Sequence, residues 1–151
     1  MKKILLAMDG SENSFKAVDE AAKLAKALKA DITVLSVIPV ETSPLYAYDR
    51  ASYGESSEQV GMLVNMSEKM EKEAKELLQK VEEIFLKKGI NAKATVSKGH
   101  PADNICKYAE EGGFDLIVMG RKGLGGLKRF LLGSVSSSVA QCAKTSVLIV
   151  K

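Results

Sequence analysis

The residue types best suited to holding an anion are concentrated in residues 115–139, which read Asp-Leu-Ile-Val-Met-Gly-Arg-Lys-Gly-Leu-Gly-Gly-Leu-Lys-Arg-Phe-Leu-Leu-Gly-Ser-Val-Ser-Ser-Ser-Val. An apolar run ends at Gly120-Arg121-Lys122-Gly123, and Gly133-Ser134 follows after a further nine residues. Glycines let a backbone approach a ligand closely, and a helix start points unpaired N–H groups at an anion. Phosphate is the guest this chemistry favours. Near the other end of the chain, Asp9-Gly10-Ser11 offers a carboxylate, a turn and a helix cap. Neither Gly-x-x-x-x-Gly-Lys-Ser/Thr nor Gly-x-Gly-x-x-Gly occurs, so the loop is not a Walker A or dinucleotide fingerprint.

These residues need a scaffold, and 151 residues at 46% hydrophobic composition supply one domain with a sizeable core. Lys plus Arg number 22 against 19 Asp plus Glu. The basic residues are dispersed, so nothing resembles the stripe of a nucleic-acid-binding surface. No apolar run approaches the roughly 20 residues of a membrane span. Met1-Lys2-Lys3 leads straight into a short strand rather than a signal-peptide apolar region. The expectation is a soluble, cytoplasmic protein that binds neither nucleic acid nor membrane. Cys106 and Cys142 form no CxxC pair, and a structural zinc site needs about four ligands. Both cysteines are therefore expected to be buried free thiols.

Taken in order, Ile4-Leu5-Leu6-Ala7-Met8 predicts a central parallel strand covered on both faces. Phe15, Val18, Ala21, Ala22, Ala25 and Leu28 recur at helical spacing from about Ser14, with Ser11 or Asn13 as cap. Residues 32–38 predict a second, β-branched strand ended by Pro39. Between Pro39 and Gly61 lies a polar stretch with Pro44, Gly54, Tyr46, Tyr48 and Tyr53. It is too long for an ordinary connection and reads as a lid, an interaction loop or a disordered segment. Residues 62–88 form a long amphipathic helix with Met66, Met70, Ala74, Leu77, Val81 and Ile84 or Phe85 inward, ended by Gly89.

Residues 92–97 alternate small apolar and polar types, which suits an edge strand. Pro101 marks the next helix start, with Ile105, Cys106 and Ala109 on one face and His100 in a capping or surface role. Residues 114–119 and 146–150 are further strands, separated by the glycine loop and a helix with Val135 and Val139 inward. Strand and helix alternate throughout, predicting a three-layer α/β domain with a parallel sheet and right-handed crossovers. With the first strand central, the ligand crevice falls beyond the carboxyl ends of the first and fourth strands, where winding reverses.

The spacing Gly120-x-x-Gly123, nine residues, Gly133-Ser134, taken with the opening Ile4-Leu5-Leu6-Ala7-Met8-Asp9-Gly10-Ser11, resembles the universal stress protein family. The likeness is to its ATP-binding branch and covers essentially the whole chain. It implies a Rossmann-like domain of the adenine-nucleotide alpha-hydrolase-like class, an open parallel five-stranded sheet ordered 3-2-1-4-5, a homodimer, and ATP bound with Mg²⁺ or Mn²⁺. Carried onto this sequence, it implies Asp9 near the ribose or metal and the backbone around Val37 and Ile38 at the adenine. Gly120 and Gly123 would approach the ribose and phosphates, and Gly133, Ser134 and Val135 would donate to the phosphates. Arg121 stands where small or histidine residues are also common in the family, so a direct charge contact from it to the ligand is open but not implied. Lys144-Thr145-Ser146 replaces the Cys-Pro often found before the last strand.

In that order the apolar strand 146–150 lies at a sheet edge, and an exposed apolar edge invites pairing with a partner subunit. A symmetric homodimer through this strand is expected. The expected function is an ATP-binding regulatory module that signals to a downstream protein, with slow or no hydrolysis. One alternative is an ATP hydrolase or phosphotransferase in which Asp9 holds metal and Arg121, Lys122 or Lys128 stabilises charge. The other is a dimeric scaffold that binds no nucleotide. The sequence shows no placed general base and no Walker-type lysine, which favours the regulatory module.

Overall fold

The run Ile4 to Met8 is buried without a break because strands flank it on both sides and helices cover both its faces. It belongs to β1 (Lys3–Met8), the middle strand of the sheet. The computed structural model describes residues 2–39, 49–54, 56–124 and 132–151. After β1 come α1 (Glu12–Leu28), β2 (Asp31–Ile38), α2 (Ser57–Lys87), β3 (Lys93–Lys98), α3 (Pro101–Glu111), β4 (Leu116–Gly120), α4 (Ser134–Cys142) and β5 (Ser146–Val150). The five strands pair in parallel in the order β3-β2-β1-β4-β5, as expected. The β1 register sets Ile4 opposite Ile32 on one side and Leu116 on the other.

Alternate strand residues point to opposite faces, and each face has its own core. Ile4, Leu6, Val34 and Val118 pack under α1 and α2 against Val18, Ala21, Leu78, Val81 and Phe85. Leu5, Ala7, Leu35, Ile117 and Met119 pack under α3 and α4 against Ala102, Ile105, Ala109 and Val139. The small residues of α1 let it lie close to the sheet. Leu28, in the last turn, is exposed, contrary to the inward position its spacing predicts.

The segment 39–61 is shorter as a loop than the sequence reading has it. Residues 49–52 are helical, and α2 begins at Ser57, so Gly61 lies inside the helix. Ser56 caps the helix start: its side chain accepts from the Gln59 N–H while the Gln59 side chain accepts from the Ser56 N–H, a reciprocal capping box. Tyr53 is 79% exposed; Pro44, Tyr46 and Tyr48 lie outside the described residues.

The expectation of free thiols is corrected. Cys106 in α3 and Cys142 at the end of α4 form a disulfide, with Cα atoms 6.4 Å apart. Packing of both helices on the same sheet face brings together two residues separated by 36 in sequence. Cys142 is exposed rather than buried. Among the described residues no helix is long and apolar enough to cross a membrane.

Candidate functional site

The chain reverses its winding at β1 and β4, and a crevice of about 610 Å³ opens beyond their carboxyl ends. Its size is that of a small-molecule site. One wall is apolar, formed by Leu35, Val37, Ile38 and Pro39 with Pro101 and Ile105 of α3. The opposite wall is Gly120, Lys122, Gly123 and the start of α4 from Gly133 to Ser136. Asp9 and Gly10 lie between them, and Met70, Glu73, Ala74 and Leu77 of α2 close the side. Residues 125–131, with Lys128, lie outside the described part of the chain.

Asp9 follows directly on β1, and its Oδ1 accepts from the Ser11 N–H at 2.9 Å. That bond fixes the turn, whose middle residue Gly10 has φ +81°, a conformation suited to glycine. Ser11 then caps α1 by accepting from Ser14 N and donates from its hydroxyl to the Lys122 carbonyl at 3.2 Å. The Asn13 amide donates to the same carbonyl at 3.4 Å. The start of α1 is thereby tied to the loop after β4.

The two loop glycines answer to different neighbours. A Cβ on Gly120 would stand 2.6 Å from the Asn13 carbonyl carbon and 2.8 Å from Ser14 N, so β4 can end there only because α1 meets bare backbone. A Cβ on Gly123 would collide with Asp9 Oδ2, which places this glycine face to face with the carboxylate. On returning, the chain lays Gly133 against the loop. Its N–H donates to the Arg121 carbonyl at 2.9 Å, and a Cβ there would meet Lys122 Cα at 3.2 Å.

Ser136, which the sequence reading passed over, is buried and holds this junction. Its hydroxyl is 2.7 Å from the Arg121 carbonyl and 3.0 Å from that of Gly133. The serine run 136–138 just inside a helix start was the available signal. Among the described residues no side chain caps α4, whereas Ser11 and Ser56 cap α1 and α2. The first N–H groups of α4 thus face the crevice without a side-chain acceptor, the arrangement that receives an anion.

Asp9, Val37, Ile38, Gly120, Gly123, Gly133, Ser134 and Val135 all line this one crevice. Arg121 is not among its lining residues: its backbone serves the junction, accepting from Gly133 and Ser136 and donating to the Val150 carbonyl at 2.8 Å. The Ile38 carbonyl already accepts from Gly99 N–H at 2.9 Å. The α2 wall was not anticipated. A long crossover helix returning over the strand ends puts Leu77 against Gly10, at 3.6 Å from where its Cβ would be.

A second groove, about 470 Å³, runs between α2 and the edge strand β3. Three of its charges pair, Glu71 with Lys98 at 2.7 Å and with Lys75 at 2.9 Å. His100 sits on the surface beside Asp103, Nδ1 to Oδ2 3.4 Å, and takes no part in the crevice.

A parallel sheet with a crevice at its point of reversal, bounded by glycines and a helix start, defines a doubly wound α/β domain. The chain belongs to the universal stress protein family, whose sequence profile matches residues 1–151. It is 34% identical over 156 residues to universal stress protein YxiE of Bacillus subtilis, covering 99% of this chain and 98% of that protein. Its fold matches that of universal stress protein UspA from Lactobacillus plantarum with a TM-score of 0.84 at 24% identity, covering 99% and 97% of the two chains. A universal stress protein in complex with cAMP matches with a TM-score of 0.69 at 25% identity, again covering 99% and 97%.

Proposed function

We propose that this protein is an ATP-binding regulatory module of the cytoplasm, which reports nucleotide occupancy to a downstream protein partner and hydrolyses ATP slowly or not at all. The observation that carries the reading is the division of one crevice into an apolar wall at Val37, Ile38 and Pro39 and a polar wall at the side-chain-uncapped start of α4. The first suits a flat base; the second suits phosphates. A family member of the same fold is in complex with cAMP, which supports an adenine nucleotide as the class of ligand.

In this reading Gly123 gives the phosphates close access to backbone, Gly133, Ser134 and Val135 surround them at the helix start, and Lys122 adds positive charge. Asp9 is the carboxylate set against the glycine loop. Mg²⁺ is commonly bound through one or two carboxylates together with substrate phosphates. The Asp9 carboxylate beside the phosphate cradle fits Mg²⁺ or Mn²⁺ arriving with the nucleotide. Among the described residues no group of three or more His, Cys, Asp or Glu could hold an ion unaided.

Calorimetric titration with ATP, ADP and AMP, with and without Mg²⁺, tests the reading. ATP should bind, more tightly with Mg²⁺ than without. Absence of binding by all three nucleotides would overturn it in favour of a scaffold. Rapid single-turnover hydrolysis without a partner would overturn the regulatory role in favour of an enzyme.

The reading includes a homodimer through β5. Among the described residues its outer edge has no partner strand, and Leu148 is 36% exposed. The other edge strand, β3, begins with Lys93 and ends with Lys98, whereas β5 itself contains no lysine. Sedimentation at micromolar concentration should show a dimer; a monomer would reject this part.

A further inference from the structure

The bond between Cys106 and Cys142 joins two helices that both reach the crevice. Pro101 and Ile105 of α3 line its apolar wall, and the start of α4 forms its phosphate wall. We propose that this disulfide is a thiol-exchange site that sets nucleotide affinity: the bridged protein binds ATP tightly and the reduced protein binds it weakly. The inference rests on the nucleotide reading of the crevice.

The thin packing of α4 supports it. The helix has nine residues and buries two of them, Ser136 and Val139. Helices this short are marginal unless their surroundings hold them. It has no acidic residue in its first turn and no basic residue in its last, so charge does not reinforce its dipole. The hydroxyl bonds of Ser136 fix its beginning, and the bridge fixes its end, where Cys142 is the last helical residue. With the far end released, the N–H groups at Ser134 and Val135 lose part of their fixed aim.

The chemistry is ordinary exchange. An external thiolate attacks the exposed Cys142 sulfur, forming a mixed disulfide and expelling Cys106 as a thiolate, which takes up a proton. A second thiol displaces Cys142, which leaves as a thiol, and two external thiols become one disulfide. Two electrons and two protons thereby pass to the protein sulfurs. Each sulfur lies 3.9 Å from a carbonyl of the opposite helix, Cys106 from Val139 and Cys142 from Ala102. The reduced thiols, being weak donors, would hold the helices together only loosely. Where thiols are kept reduced, disulfides of this kind are chiefly transient and redox-sensing.

The test is ATP calorimetry on the whole protein, air-oxidised and after dithiothreitol, with the Cys106→Ser, Cys142→Ser double variant in parallel. Thiol counting should find no free thiol before reduction and two after it. The oxidised protein should bind ATP about fivefold or more tighter than the reduced protein, at the lower end of measured couplings. The double variant should match the reduced protein and ignore dithiothreitol. Equal affinities in the two states, or free thiols throughout, would overturn the proposal and leave the nucleotide reading intact. Should neither state bind any adenine nucleotide, both that reading and the affinity coupling fail together. Hydrogen exchange over residues 134–142 is the readout independent of ligand: it should quicken on reduction, and unchanged exchange rejects the role of the bridge even where binding is seen.

Discussion

Gly120 and Gly123 are the same residue type in the same loop, yet their neighbours assign them different tasks. A methyl group at Gly120 would press on the Asn13 and Ser14 backbone, which cannot move without shifting α1. Gly120→Ala should therefore cost about 1–3 kcal/mol in urea unfolding, the usual range for overpacking. A side chain at Gly123 meets the end of the Asp9 carboxylate, which can swing aside. Gly123→Val should change stability by no more than about 0.5 kcal/mol, yet weaken ATP binding in calorimetry. Equal destabilisation by the two substitutions would make Gly123 a structural residue as well. The glycine spacing was legible in sequence; the division of labour was not, because it depends on what a distant helix presents to each position. Ser136 escaped for a related reason: its partners, the Arg121 and Gly133 carbonyls, become neighbours only when the loop folds back.

Among the elements, the strands were legible because buried parallel strands carry unbroken apolar runs, and β1, β2 and β4 have them. The beginning of α2 was not, since Gly61 reads as punctuation while the Ser56 and Gln59 pair overrules it. Ser56→Ala removes that cap and should cost about 1 kcal/mol, the usual value for such a loss. The loss should be felt locally: hydrogen exchange should quicken over residues 57–63 and stay unchanged at Val81 to Phe85, which are anchored in the core. Uniform quickening along α2 would show that the cap supports the whole helix instead. Along α2 the sequence period places Ala74, Val81 and Phe85 correctly in the core, while Met66, expected inward, is exposed. Leu78 takes the core position, and Leu77 is directed toward Gly10 and the crevice.

For the molecule as a whole, strand order was legible from family likeness and from the central character of β1, while the tie between the beginnings of β1 and β4 had to be seen. Asp115, just ahead of β4, accepts from the N–H groups of Lys2 at 2.6 Å and Lys3 at 3.0 Å, locking the beginnings of β1 and β4 together. Those two backbone bonds, Lys2's first, hold its carboxyl below the usual carboxylate range. The hydrogen bond from Lys98, seconded by Lys75, lowers Glu71 to about 2. Both folded-state values lie below the unfolded ones of about 4, so this stabilisation is complete above the unfolded values. It fades as pH falls through the folded ones. Asp115→Asn should shrink the difference in urea midpoint between pH 7 and pH 3, and an unchanged difference would deny the tie its role.

The bond from Cys106 to Cys142 has a topological side as well. It closes a covalent ring that threads through β4 and the loop beyond it, so one wall of the crevice is carried on a loop of chain without free ends. A protease cutting after Lys122 would convert that ring into two arms still joined through sulfur. The nick would leave a single band under non-reducing electrophoresis and release two fragments once thiol is added.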